Sequence, residues 1–414
     1  MSNSGGRLAF HRRSGERGQT IILVAVSLVS LLAMAALAID VVTLYVARSE
    51  MQRAADAAAL AGAKAFVDSG VTSLATTDPN YATVQGLAQT MATTTINSTV
   101  PQNRIQGAAP VLVGTPTFDF TRPGDPQVSV TVQRADLPTF FSRIWGRTFS
   151  TVTASAVAEA YNPANAAAGY PPIAPKCVKP LLVANRDPAS TIPFVDPVTG
   201  NPVAANVIGE PIKLRACATP PCAPGVQEVT FRPALVNPGT ANLCPGGCTP
   251  TASDYETSID CCDSANPPAT LYACGNPVPT TPVDVAMADP QLSVRTNKGL
   301  QCVTNHPSED TLDPTDLSAG TGPARITAGS GPQLGNLVTT SRSTATLPIV
   351  ENPNVSPARV VGFLQVFVDP VTSGVPTSTP AHILNVVGCG NSPGGGNPVL
   401  GGGYSPIPVR LIHQ

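Results

Sequence analysis

The residues with the greatest capacity for chemistry are ten cysteines, all of which lie at or beyond position 177. An even number of cysteines confined to one part of a chain predicts a disulfide framework, which forms in an oxidising compartment. The adjacent Cys261 and Cys262 are expected to bond to different partners, because a bridge between neighbouring residues is strained. The disulfide candidates are Cys177, Cys217, Cys222, Cys244, Cys248, Cys261, Cys262, Cys274, Cys302 and Cys389.

The spacing of some of these cysteines also fits a metal site. Cys217-x4-Cys222 and Cys244-x3-Cys248 resemble the ligand pairs of a four-cysteine zinc site, to which Cys302 and His306 could add. In an oxidising compartment the same thiols are expected to be bridged, and the simplest pairings are local, within each of these two segments. The connectivity as a whole cannot be deduced from sequence, and we predict no metal site.

Two acidic segments carry the oxygen ligands that hard cations such as Ca²⁺ prefer. Neither segment has the residue spacing of an EF-hand, so we expect solvated loop carboxylates and no bound metal. The residues concerned are Glu309, Asp310, Asp313 and Asp316 in one segment, and Asp196 and Asn201 in the other.

Support for catalysis is weak. The chain contains neither an H-E-x-x-H helix motif nor the phosphate-binding motif G-x-x-x-x-G-K-[ST], and no nucleophile motif adjoins any of its four histidines. We therefore predict that the protein is not an enzyme and needs no cofactor. A hydrolase whose site is assembled only by folding is one alternative.

The first element that must position other residues is an apolar segment at residues 21 to 39, which contains no charged residue. As a helix it would span about 28 Å, close to the hydrocarbon thickness of a bilayer. Cationic residues before the segment outnumber its single acidic neighbour, Glu16, so the positive-inside rule places residues 1 to 19 in the cytoplasm and the rest outside. The cations are Arg7, Arg12, Arg13 and Arg17.

A cleaved secretory signal is the alternative to a retained membrane anchor. Ala33-Met34-Ala35 and Ala36-Leu37-Ala38 both have the small-x-small pattern of a cleavage site. We favour the anchor, because the apolar run exceeds the roughly 7–15 residues of a signal core and no helix breaker follows it.

Beyond Asp40 the helix is predicted to continue to about residue 70, since this stretch lacks proline and its first glycine is Gly62. Asp40, where the apolar run stops, is expected to be solvated at the membrane interface, and Tyr45 is placed like an interfacial aromatic residue. Small residues recur at a spacing of four, which allows another backbone to approach closely. One ladder is Ala54, Ala58 and Gly62, and the other is Ala57, Ala61 and Ala65.

The packing partner of these ladders has two interpretations. They pack either on the protein's own sheet or on the helices of sister subunits. The abundance of alanine also has a simpler cause, since alanine is the best helix former.

Composition and pattern together predict an α+β protein. Pro and Gly make up about a fifth of the 414 residues, and charged residues are only 12%, typical of a loop-rich chain. A net charge of −2 argues against nucleic-acid binding. We predict a helix at 20–70, a small α+β domain at 71–161, a linker at 162–176 and a β-rich disulfide-containing domain at 177–414.

Alternation and apolar runs give the elements within these domains. In the first, we expect a helix at 80–97, strands at 111–118, 127–133 and 147–161, and a short helix at 137–146 whose Trp145 anchors the core. In the second, we expect strands at 177–184, 210–218, 227–236, 345–350, 358–370 and 380–390, a final strand near residues 406–414, and a mobile loop at 391–403.

A set of residues around the membrane boundary comprises Gly18-Gln19, Asp40, Tyr45, Arg48, Gln52 and the run 54–63. In type and order these residues resemble the N-terminal region of TadG-like proteins, components of the Tad (Flp) pilus machinery. Pilin-like precursors carry a Glu soon after the cleavage glycine, and no Glu follows Gly18 here, so the resemblance implies an assembly factor rather than a filament subunit. The von Willebrand A metal motif D-x-S-x-S of some relatives is absent.

The expected function is therefore a membrane-anchored structural or assembly component of a bacterial Tad-type pilus or related secretion system. It would cross the inner membrane once, project its bulk into the periplasm or beyond, and contact other pilus proteins, with self-association through the N-terminal helix as an option. A disulfide-rich surface adhesin or matrix protein that shares the anchor is the other alternative.

Overall fold

The computed structural model describes most of the chain, with gaps. The described residues are 16–122, 124–139, 141–142, 146, 148–162, 172–204, 206–218, 221, 225–234, 242–243, 254–263, 272–280, 289–319, 321–370, 378–390, 399–400 and 405–412.

Helices and strands alternate irregularly along the described residues. The helices are α1 (Glu16–Asp68), α2 (Tyr81–Thr99), α3 (Asp254–Asp260), α4 (Asp289–Thr304) and α5 (Thr315–Ser318). The strands are β1 (Val111–Leu112), β2 (Thr117–Asp119), β3 (Gln127–Pro138), β4 (Phe149–Ala160), β5 (Ile173–Ala174), β6 (Leu181–Ala184), β7 (Pro211–Ala216), β8 (Glu228–Pro233), β9 (Asn242–Leu243), β10 (Cys262–Asp263), β11 (Pro277–Val278), β12 (Thr311–Asp313), β13 (Arg325–Thr327), β14 (Leu337–Val338), β15 (Thr344–Val350), β16 (Ala358–Val368), β17 (Ser378–Gly388), β18 (Val399–Leu400) and β19 (Val409–Ile412).

Helix α1 is a single unbroken helix of 53 residues, as the missing proline predicts. It ends where Gly70 adopts a left-handed backbone with φ of 78° and its N–H bonds to the Val67 carbonyl, a common helix terminator. Its second half packs on α2, whose buried face is Val84, Ala88, Ala92 and Ile96.

The first sheet lies against the second half of α1, and together with α2 they form what we call the helix–sheet unit. Its strand order is β1-β3-β4-β19, and β2 also pairs with β3. The inward side chains of β3, Val128, Val130 and Val132, are buried. The alternation predicted for β3 is therefore confirmed, whereas β4 alternates only in its first part and is buried continuously from Val157 to Ala160; both strands are twelve residues long.

Two local predictions in this unit are wrong. Residues 111–118 form two short strands rather than one, because Gly114 takes a φ of +70° between them. The start of the helix expected at 137–146 is misplaced, because Leu137 pairs with Ser150 at the end of β3 after an irregularity in the ladder; residues 140 and 143–145 of the expected helix lie outside the described residues. Trp145 lies outside the described residues.

The second part of the chain forms what we call the barrel unit. Its strands follow the order β11-β16-β15-β6-β8-β7-β17, and β17 also pairs with β16. Six of the described strands therefore close a ring, which leaves no open edge around the ring itself. As its nearly continuous apolar run predicts, β16 is central, with β15 and β17 on either side.

Helices α3 and α4 in the barrel unit were not predicted from sequence. They contact each other, and the buried face of α4 includes Leu292, Thr296 and Leu300. The sequence of α4 is mostly polar and contains Gly299, so it gives only a weak helix signal. The missing side chain of Gly299 allows α4 to contact Ile259 of α3.

The two ends of the predicted linker are packed rather than extended. Asn162 is fully buried, and its side-chain amide donates to the Thr72 carbonyl at 2.8 Å and to the Val386 carbonyl at 3.4 Å. Ile173 is also fully buried, in β5, which pairs with β18 inside the predicted loop at 391–403. The rest of that loop lies outside the described residues.

Strand β19 returns to the helix–sheet unit. It pairs antiparallel with β4, from Val409 opposite Ala160 to Ile412 opposite Val157. The final strand predicted from sequence thus exists, but it joins the first sheet, although the sequence division grouped it with the cysteine-containing part.

The close packing at Gly62 leads to a testable prediction. A Cβ at Gly62 would lie 2.7 Å from Cδ1 of Ile96 and 3.3 Å from Cγ1 of Val128. We expect Gly62→Leu to lower the free energy of unfolding by about 1–3 kcal/mol through overpacking, measured by circular dichroism in detergent. The control is Gly86→Leu in α2, where no atom lies within 4 Å of a Cβ. Equal losses in the two variants would contradict this packing.

Candidate anchoring site

The exposed half of α1 is the first part of the site. Large apolar side chains from Ile21 to Ile39 are exposed around this half, and by length and composition the helix from Thr20 to Asp68 can cross a membrane. Buried positions begin with Ala36 and Asp40 and become frequent from Ala47 onward. Helix α1 thus changes from free-standing to packed within about three turns.

Asp40 is the acceptor that ties α1 to the hairpin between β3 and β4. One of its carboxylate oxygens, Oδ2, accepts the backbone N–H groups of Phe141 at 3.1 Å and Ser142 at 2.8 Å, and the Ser142 hydroxyl at 2.7 Å. Asp40 is only 4% exposed. The predicted role in interfacial solvation is therefore wrong, because the hairpin's own donors replace water around the carboxylate.

A second set of contacts lies within the next three turns of α1. The carboxylate of Glu50 accepts the backbone N–H of Gln106 at 2.8 Å, and the Gln106 side chain donates to the Thr43 carbonyl at 2.9 Å. Arg134, which is buried, donates to the Ile105 carbonyl and holds this turn against β3. These bonds fix the orientation of α1 relative to the sheet.

Sequence reasoning missed Ser142, Gln106 and Arg134, although they complete these contacts. Ser142 lies 102 positions from Asp40, and Gln106 lies 56 positions from Glu50. No local sequence signal indicates these long-range pairs. The tight turn at Gln106 is evident only from the structure, in which Gln106 has a φ of 44° next to Gly107.

The first small-residue ladder is packed inside the chain. Ala54 and Ala58 are fully buried and Gly62 is buried, mainly because α1 lies against α2, β3 and β4. The small side chains let the helix lie close to the sheet, so this ladder is occupied by intramolecular contacts.

The second ladder is only partly covered. Ala65 is buried, whereas Ala57 and Ala61 are half-buried on the outward face of α1, near the exposed Arg53. The structure therefore divides the six predicted packing residues between an inner face and an outer face.

A charged cluster closes the far end of the helix–sheet unit. Arg410 of β19 donates to Glu159 at 2.6 Å, and its guanidinium lies 4.5 Å from the ring centre of Tyr161. Asp125 lies beside them and accepts the backbone N–H of Asn162 at 3.1 Å. Burial, and secondarily the nearby Glu159 carboxylate, raises the pKa of Asp125 to about 7.

Six of the described cysteines are bridged. One disulfide joins Cys274, in the loop before β11, to Cys389, directly after β17. The other bridged cysteines are Cys177, Cys217, Cys261 and Cys302. A bridged Cys217 or Cys302 cannot serve as a zinc thiolate. Of the predicted local pairs, Cys222, Cys244 and Cys248 lie outside the described residues, and the partner of Cys262 stays a prediction.

The acidic residues weighed as Ca²⁺ ligands have separate protein partners. Asp310 accepts the N–H of Gly329 at 2.9 Å and the Ser341 hydroxyl at 2.5 Å. Asp313 accepts from Thr315, Asp316 pairs with Arg325, and Glu309 pairs with His306. Asp196 accepts the N–H of Val198 in a turn. Within the described ranges no group of three potential ligands is arranged to hold a metal ion.

Possible catalytic groups were also located. Each of the two described histidines is bonded to a carboxylate, His306 to Glu309 and His382 to Asp369. Residues 390–394 carry the letters of the nucleophile motif G-x-S-x-G, but Ser392 lies outside the described residues.

Comparison with known proteins identifies the helix around which this site is built. Residues 18–65 match the Flp pilus-assembly TadE/G-like family. Neither the curated proteins nor the solved structures contain a match to the chain. The matched segment covers the apolar half of α1, the Asp40 boundary and the alanine-rich half. It confirms the predicted resemblance to TadG-like proteins and supports a pilus-assembly component with a candidate membrane helix.

The Asp40 contacts lead to a second prediction. Replacing Asp40 by Ala leaves two backbone N–H groups of the hairpin without their acceptor, which should cost about 1–3 kcal/mol of stability. Amide hydrogen exchange at Phe141 and Ser142 should accelerate. Asp56→Ala is the matched control on the same helix, because Asp56 accepts one exposed bond from Gln52. Unchanged exchange at Phe141 and Ser142 in Asp40→Ala would contradict the assigned contact.

The buried Asp125 leads to a third prediction, on pH. Its folded pKa of about 7 exceeds the unfolded value of 3.8, so the folded state holds this proton more tightly. Its contribution to stability is therefore complete below about pH 4 and is lost as the pH rises toward 7. The midpoint temperature of thermal unfolding should therefore decrease less between about pH 4 and pH 7 in Asp125→Asn than in the wild type.

Asp119→Asn serves as the control for the pH experiment. The N–H of Thr121 lowers the pKa of Asp119, so any contribution from this group is lost only at lower pH. If Asp125→Asn and the wild type show the same pH dependence, the carboxyl is ionised at neutral pH in the folded protein and the prediction is wrong.

Proposed function

We propose that the protein is a membrane-anchored assembly component of a bacterial Tad (Flp) pilus or a related secretion system, and that it acts through protein contacts without catalytic turnover. The single observation that carries this proposal is the family match at residues 18–65, which coincides with the part of α1 that is first exposed and then packed. No cofactor has a role in the proposed function.

The proposed topology follows from charge and cysteine usage. The arginines that precede the apolar segment favour a cytoplasmic N-terminus in the inner membrane. The helix–sheet and barrel units would then lie in the periplasm or beyond, an oxidising environment that agrees with bridged cysteines such as Cys274 and Cys389.

We place the contact with other pilus proteins, or with a second copy of this chain, on the outward face of α1. The inner ladder is already covered by the sheet, whereas Ala57 and Ala61 keep part of their surface accessible. Small side chains permit a neighbouring helix to approach closely, and the adjacent Arg53 and Lys64 can supply polar contacts at the edges.

A piliation assay with paired variants tests this proposal. Ala61→Arg adds bulk and charge to the outward face and should reduce pili on the cell surface by about tenfold or more, as a loss of 1.4 kcal/mol in contact energy would. Ala82→Arg is the matched control, since Ala82 is exposed on α2 away from this face. Immunoblotting should show equal amounts of both variants.

Deletion of the whole gene is the second arm of the experiment. Loss of pili upon deletion, restored by the wild type and by Ala82→Arg, would support an assembly role. Normal piliation in the deletion strain would refute the proposed function. If the deletion strain lacks pili but Ala61→Arg has a normal number, the assembly role stands and the outward face of α1 is not the contact surface. Binding of the purified protein to a surface or glycan, with piliation intact, would favour an adhesin.

A further inference from the structure

The hairpin between β3 and β4 reaches the level at which α1 leaves its apolar segment. Phe149 pairs with Pro138, three positions before Phe141, whose N–H is bonded to Asp40. Further along, the Gln52 side chain donates to the Ser155 carbonyl at 3.2 Å. Asp40 to Gln52 is about 18 Å of helix and Phe149 to Ser155 is about 20 Å of strand, so β4 runs alongside α1 and Phe149 lies level with Asp40.

Apolar side chains are exposed at this level. Phe149 is 61% exposed and Tyr45 is 75% exposed, one turn or so beyond Asp40 on α1. Val46, next to Tyr45 on α1, is also exposed. Along the same face of β4, the residues further from Asp40 are polar, with Thr151, Thr153 and Ser155 exposed. On β4 the exposed apolar surface is therefore concentrated at Phe149, at the end of the helix–sheet unit near Asp40, which we call the hairpin end.

Cationic side chains accompany the apolar ones. Arg48 lies two turns beyond Asp40 on α1 and is exposed, and Arg104 is exposed beside the Ile105–Gln106 turn that contacts Thr43. Exposed aromatic residues next to arginines are typical of protein surfaces at the lipid headgroup level, where the rings remain amphipathic and the cations meet lipid phosphates.

We propose that the hairpin end rests in the headgroup layer of the same bilayer that α1 crosses, with Phe149 and Tyr45 as its apolar contacts and Arg48 and Arg104 as its phosphate contacts. This inference rests on the proposed membrane anchoring. Continuity selects lipid as the occupant, because the hairpin is hydrogen-bonded to α1 at the residue where the apolar run ends. The protein would then contact the membrane in two places, through α1 in the hydrocarbon core and through the hairpin end in the headgroup layer. Two contacts restrict tilting of the helix–sheet unit relative to the bilayer.

Tryptophan fluorescence in nanodiscs tests the contact with the full chain. A Trp145→Phe background removes the single native tryptophan. Phe149→Trp then reports on the hairpin end, Leu28→Trp on the apolar segment, and Val198→Trp, at an 82% exposed position in the barrel unit, is the control. Discs contain phosphatidylcholine with phosphatidylglycerol, and carry either a nitroxide label on the headgroup or bromine on the acyl chain.

We expect Phe149→Trp to lose most of its emission to the headgroup nitroxide, Leu28→Trp to lose its emission to acyl-chain bromine, and Val198→Trp to be unaffected by either. Removal of phosphatidylglycerol should weaken the quenching of Phe149→Trp, since the arginines lose their anionic partners. Thr148→Trp, at the exposed position next to Phe149, is a second reporter if Phe149→Trp does not fold by circular dichroism.

The outcomes separate this inference from the proposed function. Quenching of Leu28→Trp, with Phe149→Trp indistinguishable from Val198→Trp, would overturn the headgroup contact and leave the anchor intact. Absence of quenching in Leu28→Trp would overturn the anchor itself. A blue-shifted but unquenched Phe149→Trp would show that a protein surface, such as a second copy of the chain, covers the hairpin end, and would also overturn the proposal.

Discussion

The rest of the structure depends on the close contact between the alanine-rich half of α1 and the first sheet. A helix whose buried face is Ala54, Ala58 and Gly62 has little apolar area per residue, so it gains stability by lying very close to its neighbours. That closeness places Asp40 within reach of the hairpin donors and Gln52 within reach of β4. The first half of α1 is therefore an exposed apolar helix and the second half is part of the core. Because the two halves form one continuous helix, the apolar half fixes the orientation of the sheet.

The barrel unit is coupled to this helix–sheet core through polar groups that are buried at the junction. The N–H of Val386 in β17 donates to the Ser73 hydroxyl at 3.1 Å, and the fully buried Asn162 bonds to both units. Buried polar groups are costly when unpaired, so these bonds favour one relative arrangement of the units over sliding alternatives. A force on the barrel unit would therefore be transmitted to α1 through a specific set of contacts.

The sequence was informative wherever periodicity or continuity decides the outcome. The unbroken α1, the alternation of β3 and β4, and the apolar β16 follow from local pattern, and the resemblance at residues 18–65 came from local motif order. Contacts between distant positions could not be derived. Asp40 looked like a solvated boundary residue because its partners lie more than 100 positions away, and the face of α1 that is covered depends on where α2 and β4 pack. Helix α4 escaped prediction because its sequence is polar overall and contains Gly299, although Leu292 and Leu300 lie on one buried face.

The pairing of β19 with β4 has a consequence for the order of folding. Arg410 and Glu159 are 251 positions apart, and the barrel unit lies between them as an insertion into the helix–sheet unit. While the chain is being synthesised, β4 therefore has an unoccupied edge until the barrel unit and β19 have followed it. An open edge of this kind is a template for strands of other chains. A C-terminal truncation would prolong that interval indefinitely and would convert a temporary edge into a permanent site for edge-to-edge association.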